Sequence, residues 1–265
     1  CEHTLFSQLL SLLDLLLPTD FEGRNPEDCD FHGIKQLLRQ LFLKSNVDVG
    51  ALANLIISQN YIGSVVKQCL DDGMNEGDDE DDDEDDGSDG VFGITTIINI
   101  TKRKDEECIK QLRELLLKLT DENGDDKTKA LFKKILQDDS NHVGLLINER
   151  ILNIPAMIST PLFASLETEL KRANDKKMAY NFKYIIWICK TYKIGDEVED
   201  IYTNSEERAI QTEALASLVV DVSNQVDLSQ WREEDEATTP KRKICLFDAK
   251  KLSTLIRLMK EEIEC

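Results

Sequence analysis

An acidic run at residues 71–90, DDGMNEGDDEDDDEDDGSDG, places the strongest constraint on how this chain folds. Thirteen of its twenty residues are Asp or Glu, and none is Lys or Arg. Because like charges at this density repel one another and cannot bury apolar area, we predict that the run is a disordered loop. It contributes −13 to the formal net charge of −20 and leaves −7 for the rest of the chain.

Two segments rich in β-branched residues flank the acidic run. They are residues 61–67 (YIGSVVK) and 91–100 (VFGITTIINI), and this composition is typical of β-strands. If the two strands are neighbours in a sheet, the acidic run is the tip of an enlarged hairpin. The run is then held at one edge of the fold.

Apolar spacing predicts most of the other elements. The i, i+3, i+4, i+7 pattern predicts helices over 31–44, after Asp48, near 108–119, over 127–137 and after Asp248. Asp30, Asp48 and Asp248 are the predicted N-caps of the first, second and last of these helices. Further strands are predicted at 143–147, 181–192 and 243–247. Residues 213–222 fit a helix or a strand, and their β-branched end favours a strand. Residues 194–205 and 228–240 are predicted loops.

This order of elements predicts one α+β domain with a mixed central sheet flanked by helices. The domain covers residues 19–265 and carries the acidic insertion at 71–90, while residues 1–18 form a separate N-terminal segment. The leucine-rich part of that segment is short and is interrupted by Asp14. It therefore favours a terminal amphipathic helix over a membrane span or signal sequence.

Residues 143–170 combine a buried strand, a polar turn and an amphipathic helix that begins at Thr160-Pro161. An α/β protein often holds a phosphate or a cofactor at such a turn. The composition offers little else for small-ligand chemistry. Seven cysteines and three histidines show no metal-ligand spacing, so we expect no metal and no cofactor. The net charge of −20 favours a basic protein partner and makes direct nucleic-acid binding unexpected.

Four segments closely resemble the BCCIP family. They are residues 31–44 (FHGIKQLLRQLFLK), 60–67 (NYIGSVVK), 91–101 (VFGITTIINIT) and 143–155 (VGLLINERILNIP). Later landmarks agree, namely Trp231 followed by Thr239-Pro240 and then the closing strand and helix. The acidic insertion also follows the NYIGSVVK strand, as in the family. The similarity covers residues from about 20 to 262, and residues 1–18 lie outside it.

The resemblance carries expectations that the residues alone do not supply. It implies a nuclear protein, with the nucleolus as a candidate compartment, that shuttles to the cytoplasm. It implies roles in large ribosomal subunit biogenesis and nuclear export, including chaperoning of a basic ribosomal protein. In animal members it also implies DNA repair and cell-cycle control, since the founding member is named for binding a breast-cancer susceptibility protein and a cyclin-dependent-kinase inhibitor. The implied fold looks like that of the GCN-five-related acetyltransferases.

An acetyltransferase of that fold binds the acetyl-CoA pyrophosphate at a turn of pattern [Q/R]-x-x-G-x-[G/A], whose glycines allow backbone N–H groups to approach the phosphates. Residues 150–155 align with this turn. Arg150 keeps the basic position, but Asn153 and Pro155 replace the small residues. Because proline removes a donor and adds bulk, we expect no acetyl-CoA binding and no enzymatic activity.

Three sets of residues are candidates for partner binding. They are the centre of the acidic run (Asp78, Asp79, Glu80, Asp81, Asp82, Asp83, Glu84, Asp85 and Asp86), the pair Glu149 and Arg150, and Trp231. The acidic residues have two possible roles: they imitate polyanionic RNA and bind a basic client, or they form a loop that only keeps the protein solvated. Glu149 and Arg150 fit an exposed recognition pair, or an internal ion pair that closes the strand end. Trp231 fits a surface anchor or a residue that pins its own loop.

Two non-enzymatic functions remain open at this level, and an active acetyltransferase is a third and less favoured hypothesis. In the first, a non-enzymatic protein shields a basic, RNA-binding client before assembly, and in the second it is a scaffold for repair and cell-cycle proteins. The basic triplets Lys102–Lys104 and Lys241–Lys243 fit nuclear import signals or solvated ends of strands.

Overall fold

A computed structural model describes residues 21–68, 90–151, 154–195, 199–226 and 238–265. Six α-helices and eight strands lie in these ranges. The strands are β1 (Phe21–Arg24), β2 (Ser64–Gln68), β3 (Gly93–Asn99), β4 (Val143–Arg150), β5 (Tyr184–Ile194), β6 (Ile201–Tyr202), β7 (Ala216–Asp221) and β8 (Thr238–Asp248). The helices are α1 (Phe31–Phe42), α2 (Val49–Ser58), α3 (Glu107–Asn123), α4 (Asp126–Gln137), α5 (Ser159–Asp175) and α6 (Leu252–Glu264).

All eight strands belong to one sheet. Seven of them follow the order β1-β2-β3-β4-β5-β8-β7, and β6 pairs with β5 outside this path. Neighbouring strands are antiparallel except for β4 and β5, which are parallel. The chain is therefore a mixed open sheet in an α+β domain, and the parallel pair lies at its centre.

Helices cover both faces of the sheet. Helices α1 to α4 pack on one face over residues such as Ile98 and Leu145. Helices α5 and α6 pack on the other face, together with Trp187 and Phe247. All eight residues of β4 are buried, because both faces of this central strand are covered. The predicted buried strand at 143–147 is therefore confirmed, and it extends to Arg150.

The predicted hairpin around the acidic run is also confirmed. Strands β2 and β3 are antiparallel neighbours, with Val66 opposite Gly93. The run connects Gln68 to Gly90, next to the edge strand β1. Residues 69–89, which include the candidate residues Asp78 to Asp86, lie outside the described ranges, as does Trp231.

Some local predictions need correction. Asp48 caps α2 by accepting a hydrogen bond from the Ala51 N–H at 2.9 Å, but Asp30 does not cap α1. The Asp30 carboxylate is fully buried and binds Arg24 and Lys67 at 2.8 and 3.0 Å. A buried carboxylate with two cationic partners holds β1, β2 and the start of α1 together.

The polar stretches after β5 are more ordered than the sequence predicts. The predicted loop at 194–205 contains β6 and the start of a 3₁₀ helix, Ser205–Glu213. The predicted short strand at 243–247 is the end of β8, which has eleven residues. Among the described helices, none is both long and apolar enough to cross a bilayer.

Candidate functional site: the crevice between the parallel strands

Strands β4 and β5 separate along their length. They pair in parallel from Val143 opposite Tyr184 to Leu146 opposite Trp187, and no pairing follows. Both strands nevertheless continue, to Arg150 and Ile194. The carboxyl ends of parallel strands therefore form a crevice in the middle of the sheet, which is the usual position of a ligand in an α/β fold.

A segment of the same chain, residues 201–213, occupies this crevice; we call it the inserted segment. It begins as β6, which pairs with Thr191 and Tyr192 of β5. The Thr203 N–H then donates to the Lys190 carbonyl at 2.9 Å, and the Asn204 side-chain amide donates to the Asn148 carbonyl at 3.1 Å. These bonds replace part of the missing ladder between β4 and β5. The backbone groups left by the separation are thus satisfied internally.

Two consecutive glutamates of the inserted segment, Glu206 and Glu207, have no exposed surface. Glu206 forms a bidentate contact with the Arg150 guanidinium, with the Nη2–Oε2 distance at 2.8 Å. The Ser159 hydroxyl, at the first residue of α5, donates to Glu206 Oε1 at 2.7 Å and accepts from Arg150 Nη1 at 3.0 Å. The end of β4, the start of α5 and the inserted segment are therefore fixed to one another.

Glu149 lies on the opposite face of the strand from Arg150, because successive strand residues alternate. It is 2% exposed and forms an ion pair with Lys190 of β5. Burial raises the pKa of Glu149, whereas Lys190, Arg242 and Arg150 act in the opposite direction. This pair links β4 to β5 across the crevice on the side of helices α1 to α4.

Glu207 has no cationic partner among the described residues. Its Oε1 accepts hydrogen bonds from the side-chain amides of Asn148 and Asn204, at 2.8 and 3.0 Å. Burial is the largest effect and raises the pKa of Glu207 to about 7, although these two amides lower it. Cys189 lies nearby, and its thiol pKa is raised by burial first and by contact with Cys245 and Glu207 next.

The structure gives Glu149 and Arg150 internal roles. Of the two interpretations of the sequence, the internal one agrees with their burial, but the two side chains do not pair with each other. Arg150 binds Glu206 and Glu149 binds Lys190. Neither side chain is presented at the surface as an exposed recognition pair.

Two described residues of the turn after β4 differ from what the pyrophosphate of acetyl-CoA requires. Pro155 precedes the short 3₁₀ helix Ala156–Ile158 and has no N–H to donate. Arg150, the basic residue of the aligned pattern, is occupied by Glu206. Asn153 lies outside the described ranges. No group of three or more His, Cys, Asp or Glu side chains within those ranges is arranged to hold a metal ion.

Sequence reasoning missed most of this network. It identified Arg150 and Glu149 but not their partners Glu206 and Lys190, nor Asn148, Ser159 and Asn204. The one local signal is the pair Glu206-Glu207 followed by the apolar Ile210, which is fully buried. Two adjacent acidic residues in a polar stretch ordinarily indicate a solvated loop. The sequence therefore indicated exposed side chains at a place where the structure buries them.

These features define the class of protein: a single domain built on one mixed sheet, in which a segment of the same chain closes the central crevice. The BCCIP family model matches residues 16–238, and the chain belongs to this family. A Drosophila melanogaster relative named protein BCCIP homolog is 41% identical over 245 residues, which are 89% of this chain and 82% of the relative. A Homo sapiens relative named BRCA2 and CDKN1A-interacting protein is 31% identical and covers 94% of this chain and 82% of its own length.

A solved structure shows the same fold. The crystal structure of BCP1 from Saccharomyces cerevisiae superposes with a TM-score of 0.60 and covers 92% of this chain and 89% of its own. Its sequence identity is 19%, so this likeness concerns the fold alone. The resemblance stated from four sequence segments is therefore confirmed at the level of the family.

Proposed function

We propose that this chain is a non-enzymatic nuclear protein that binds other proteins and acts as a chaperone or adaptor for a basic ribosomal protein. In this role it accompanies the client during large ribosomal subunit biogenesis and nuclear export. The human relative is named for its interactions with BRCA2 and CDKN1A, which is consistent with a family that works by binding proteins.

The observation that carries the proposal is the separation of charge along the chain. The described ranges contain 31 of the 32 Lys and Arg residues but 29 of the 52 Asp and Glu residues, a net charge of +2. The remaining residues hold one basic and 23 acidic side chains, a net charge of −22. Acidic segments attached to a nearly neutral domain attract a basic client by long-range electrostatics. A shielded client does not bind nucleic acid indiscriminately.

Replacing the 13 carboxylates of residues 71–90 by Asn and Gln tests this role at constant length. Pull-downs from nuclear extract, at low and moderate salt, are read by mass spectrometry for ribosomal proteins. We expect the intact chain to retain a basic ribosomal protein at low salt and the neutral variant to lose it, because salt screens such contacts. A matched control neutralises Glu261, Glu262 and Glu264 at the end of α6. Equal retention by the neutral variant at low salt contradicts the role of the run.

A second candidate function is a scaffold for repair and cell-cycle proteins. The names of the mammalian relatives favour it. In that case the same pull-down retains proteins of those classes equally with the intact chain and with the neutral variant. Imaging of the tagged chain checks the proposed nuclear location and its shuttling to the cytoplasm.

An active acetyltransferase is the alternative with the least support. The occupied crevice, Pro155 and the engaged Arg150 all oppose the binding of acetyl-CoA. Calorimetry with acetyl-CoA tests this directly, and we expect no saturable heat. Saturable binding in the micromolar range contradicts the non-enzymatic proposal.

A further inference from the structure

The opposite end of the β4–β5 pair holds an open groove. Two adjoining cavities of about 510 and 230 Å³ lie at the amino ends of these strands. They share Asn181, Phe182 and Lys250, so they form one continuous groove. It runs from the loop before β4 to the junction of α5 and α6. This groove lies outside the network of the inserted segment.

Two of the three lysines that line the groove, Lys183 and Lys250, are available for a ligand, and the His142 imidazole lies beside them. His142, Lys183 and Lys250 line it and form no ion pair with any acidic side chain in the described ranges. The Lys183 ammonium instead lies 5.5 Å from the centroid of the Tyr184 ring. The Lys183 and Lys250 side chains are exposed, and His142 is partly exposed. Unpaired cations in a groove attract an anion with little desolvation cost.

The two carboxylates that line the groove are already engaged. Asp248 Oδ1 accepts a hydrogen bond from the Lys250 backbone N–H at 2.9 Å. Glu167 accepts from the Ser253 hydroxyl and lies 3.9 Å from Lys171. The two lining carboxylates therefore leave Lys183 and Lys250 without an ion pair, although Lys183 also acts electrostatically on Asp138 beside the groove.

The remaining lining combines amides with an aromatic ring. Asn174 and Asn181 supply neutral donors and acceptors. The Asn141 amide already donates to Asp138 Oδ2 at 2.6 Å and to the Ser140 hydroxyl at 3.0 Å, so this residue offers its side-chain carbonyl. Phe182 is partly exposed, and its ring packs edge-on against Tyr180 at a centroid distance of 5.9 Å. Cations beside amides and an anchored aromatic ring are the recurring parts of sites for single-stranded nucleic acid.

The net charge of the whole chain does not oppose this reading, because the acidity is concentrated elsewhere. The acidic run leaves the sheet at Gln68 and returns at Gly90, and the nearby Gly93 is opposite Arg150. The groove lies at the other end of β4, next to Val143. Eight strand residues span about 26 Å, so the points where the run joins the sheet lie farther from the groove than the screening length of about 8 Å at physiological salt.

We propose that this groove binds a single-stranded nucleic acid. Lys183, Lys250 and His142 contact the phosphates, the asparagine amides contact base edges, and Phe182 stacks on a base. The proposal differs from the expectation drawn from the net charge of −20, because the described ranges by themselves carry a net charge of +2. It does not depend on the proposed chaperone role, since the acidic run takes no part in it.

Fluorescence anisotropy with labelled oligouridine about ten nucleotides long tests the proposal on the full chain. We expect saturable binding that weakens at least tenfold in the Lys183→Glu/Lys250→Glu variant and at least fivefold in Phe182→Ala. The control variant Lys127→Glu/Lys129→Glu makes the same charge change at the far end of α4, and we expect it to bind within twofold of the intact chain. When the 13 carboxylates of residues 71–90 are replaced by Asn and Gln, we expect the difference in affinity between the groove variants and the control variant to stay the same.

Oligothymidine of the same length distinguishes RNA from DNA as the ligand. Equal binding identifies single-stranded nucleic acid in general, and a preference for uridine identifies RNA through its 2′-hydroxyl. Photocrosslinking of 4-thiouridine to the unmodified chain provides a readout without mutation, and we expect crosslinks within residues 138–142, 181–183 or 248–253. Crosslinks elsewhere, equal losses in groove and control variants, or displacement by a polyglutamate peptide at equal concentration would overturn the proposal.

Discussion

The two ends of the β4–β5 pair satisfy their polar groups in opposite ways. At the carboxyl ends, Arg150, Glu206 and their neighbours are buried and bind one another. At the amino ends, Lys183 and Lys250 are exposed and have no ion pair with any described residue. The end that usually receives a ligand is therefore closed by the chain itself. Fold position alone does not locate a binding site, and the state of each charged group has to be determined.

We expect the stability of the protein to depend on each charge at the closed end, the carboxyl ends of β4 and β5. Arg150→Met leaves the Glu206 carboxylate buried without its counter-charge, and we expect a loss of about 3–5 kcal/mol in the free energy of unfolding. Urea denaturation measures this. The control Arg208→Met removes the exposed pair with Glu262 and should cost at most about 1 kcal/mol.

The double variant Arg150→Met/Glu206→Leu sharpens the same test. Replacing both partners of a buried ion pair by apolar residues is often close to neutral. We therefore expect it to recover most of the stability that Arg150→Met loses. If Arg150→Met costs no more than Arg208→Met, the network does not hold the inserted segment in place.

The buried Glu207 carboxyl predicts that the stability of the closed end depends on pH. Because burial raises its pKa from 4.5 to about 7 in the folded state, the folded protein holds this proton more tightly than the unfolded chain. The contribution of this proton to the free energy of unfolding is complete below about pH 4.5. It falls by about 3 kcal/mol as the pH rises to about 7. Glu207→Gln should remove this loss.

Denaturation at a series of pH values checks the Glu207 prediction. We expect Glu207→Gln to be more stable than the unmodified chain above pH 7 and to differ little from it near pH 5. Glu213→Gln, on the same segment but paired with Lys251 at the surface, is the control. A Glu207→Gln variant that is less stable at pH 8 would show that the carboxylate is compensated in the folded state.

The smallest expected effect concerns the bonds that replace the missing ladder. Asn204→Ala removes the donors to the Asn148 carbonyl and to Glu207, and we expect a loss of about 1–2 kcal/mol. Asn123→Ala, at an exposed helix end, is the control. Equal effects for the two variants would place the Asn204 contacts outside the stabilising network.

Much of the fold follows from local patterns. The β-branched segments predicted β2 and β3 as strands and left their pairing open, and the apolar spacing of Cys108, Leu112 and Leu116 predicted α3. The inserted segment could not be predicted in this way. Burial of Glu206 and Glu207 depends on Arg150 and Asn148, which lie more than fifty residues earlier in the chain. Asp30 shows the same limit, since its partner Lys67 comes from a distant strand.

The site itself was only partly predictable for a related reason. The pattern at residues 150–155 correctly drew attention to the turn, and Pro155 argued against a phosphate. No local pattern indicates that a later segment fills the crevice, because that depends on how β4 and β5 separate. The groove at the other end combines residues from three distant loops, so only the fold brings Asn141, Phe182 and Lys250 together.

Hydrogen exchange measured by mass spectrometry on the intact chain tests most directly whether the crevice is closed. The account predicts that peptides covering residues 201–207 exchange about as slowly as those of β4, because the Thr203 and Glu207 amides are bonded inside the fold. Peptides covering residues 138–142, at the open end, should exchange much faster. Fast exchange of residues 201–207 on the same timescale as residues 138–142 would contradict the account, since the inserted segment would then open readily and expose the crevice.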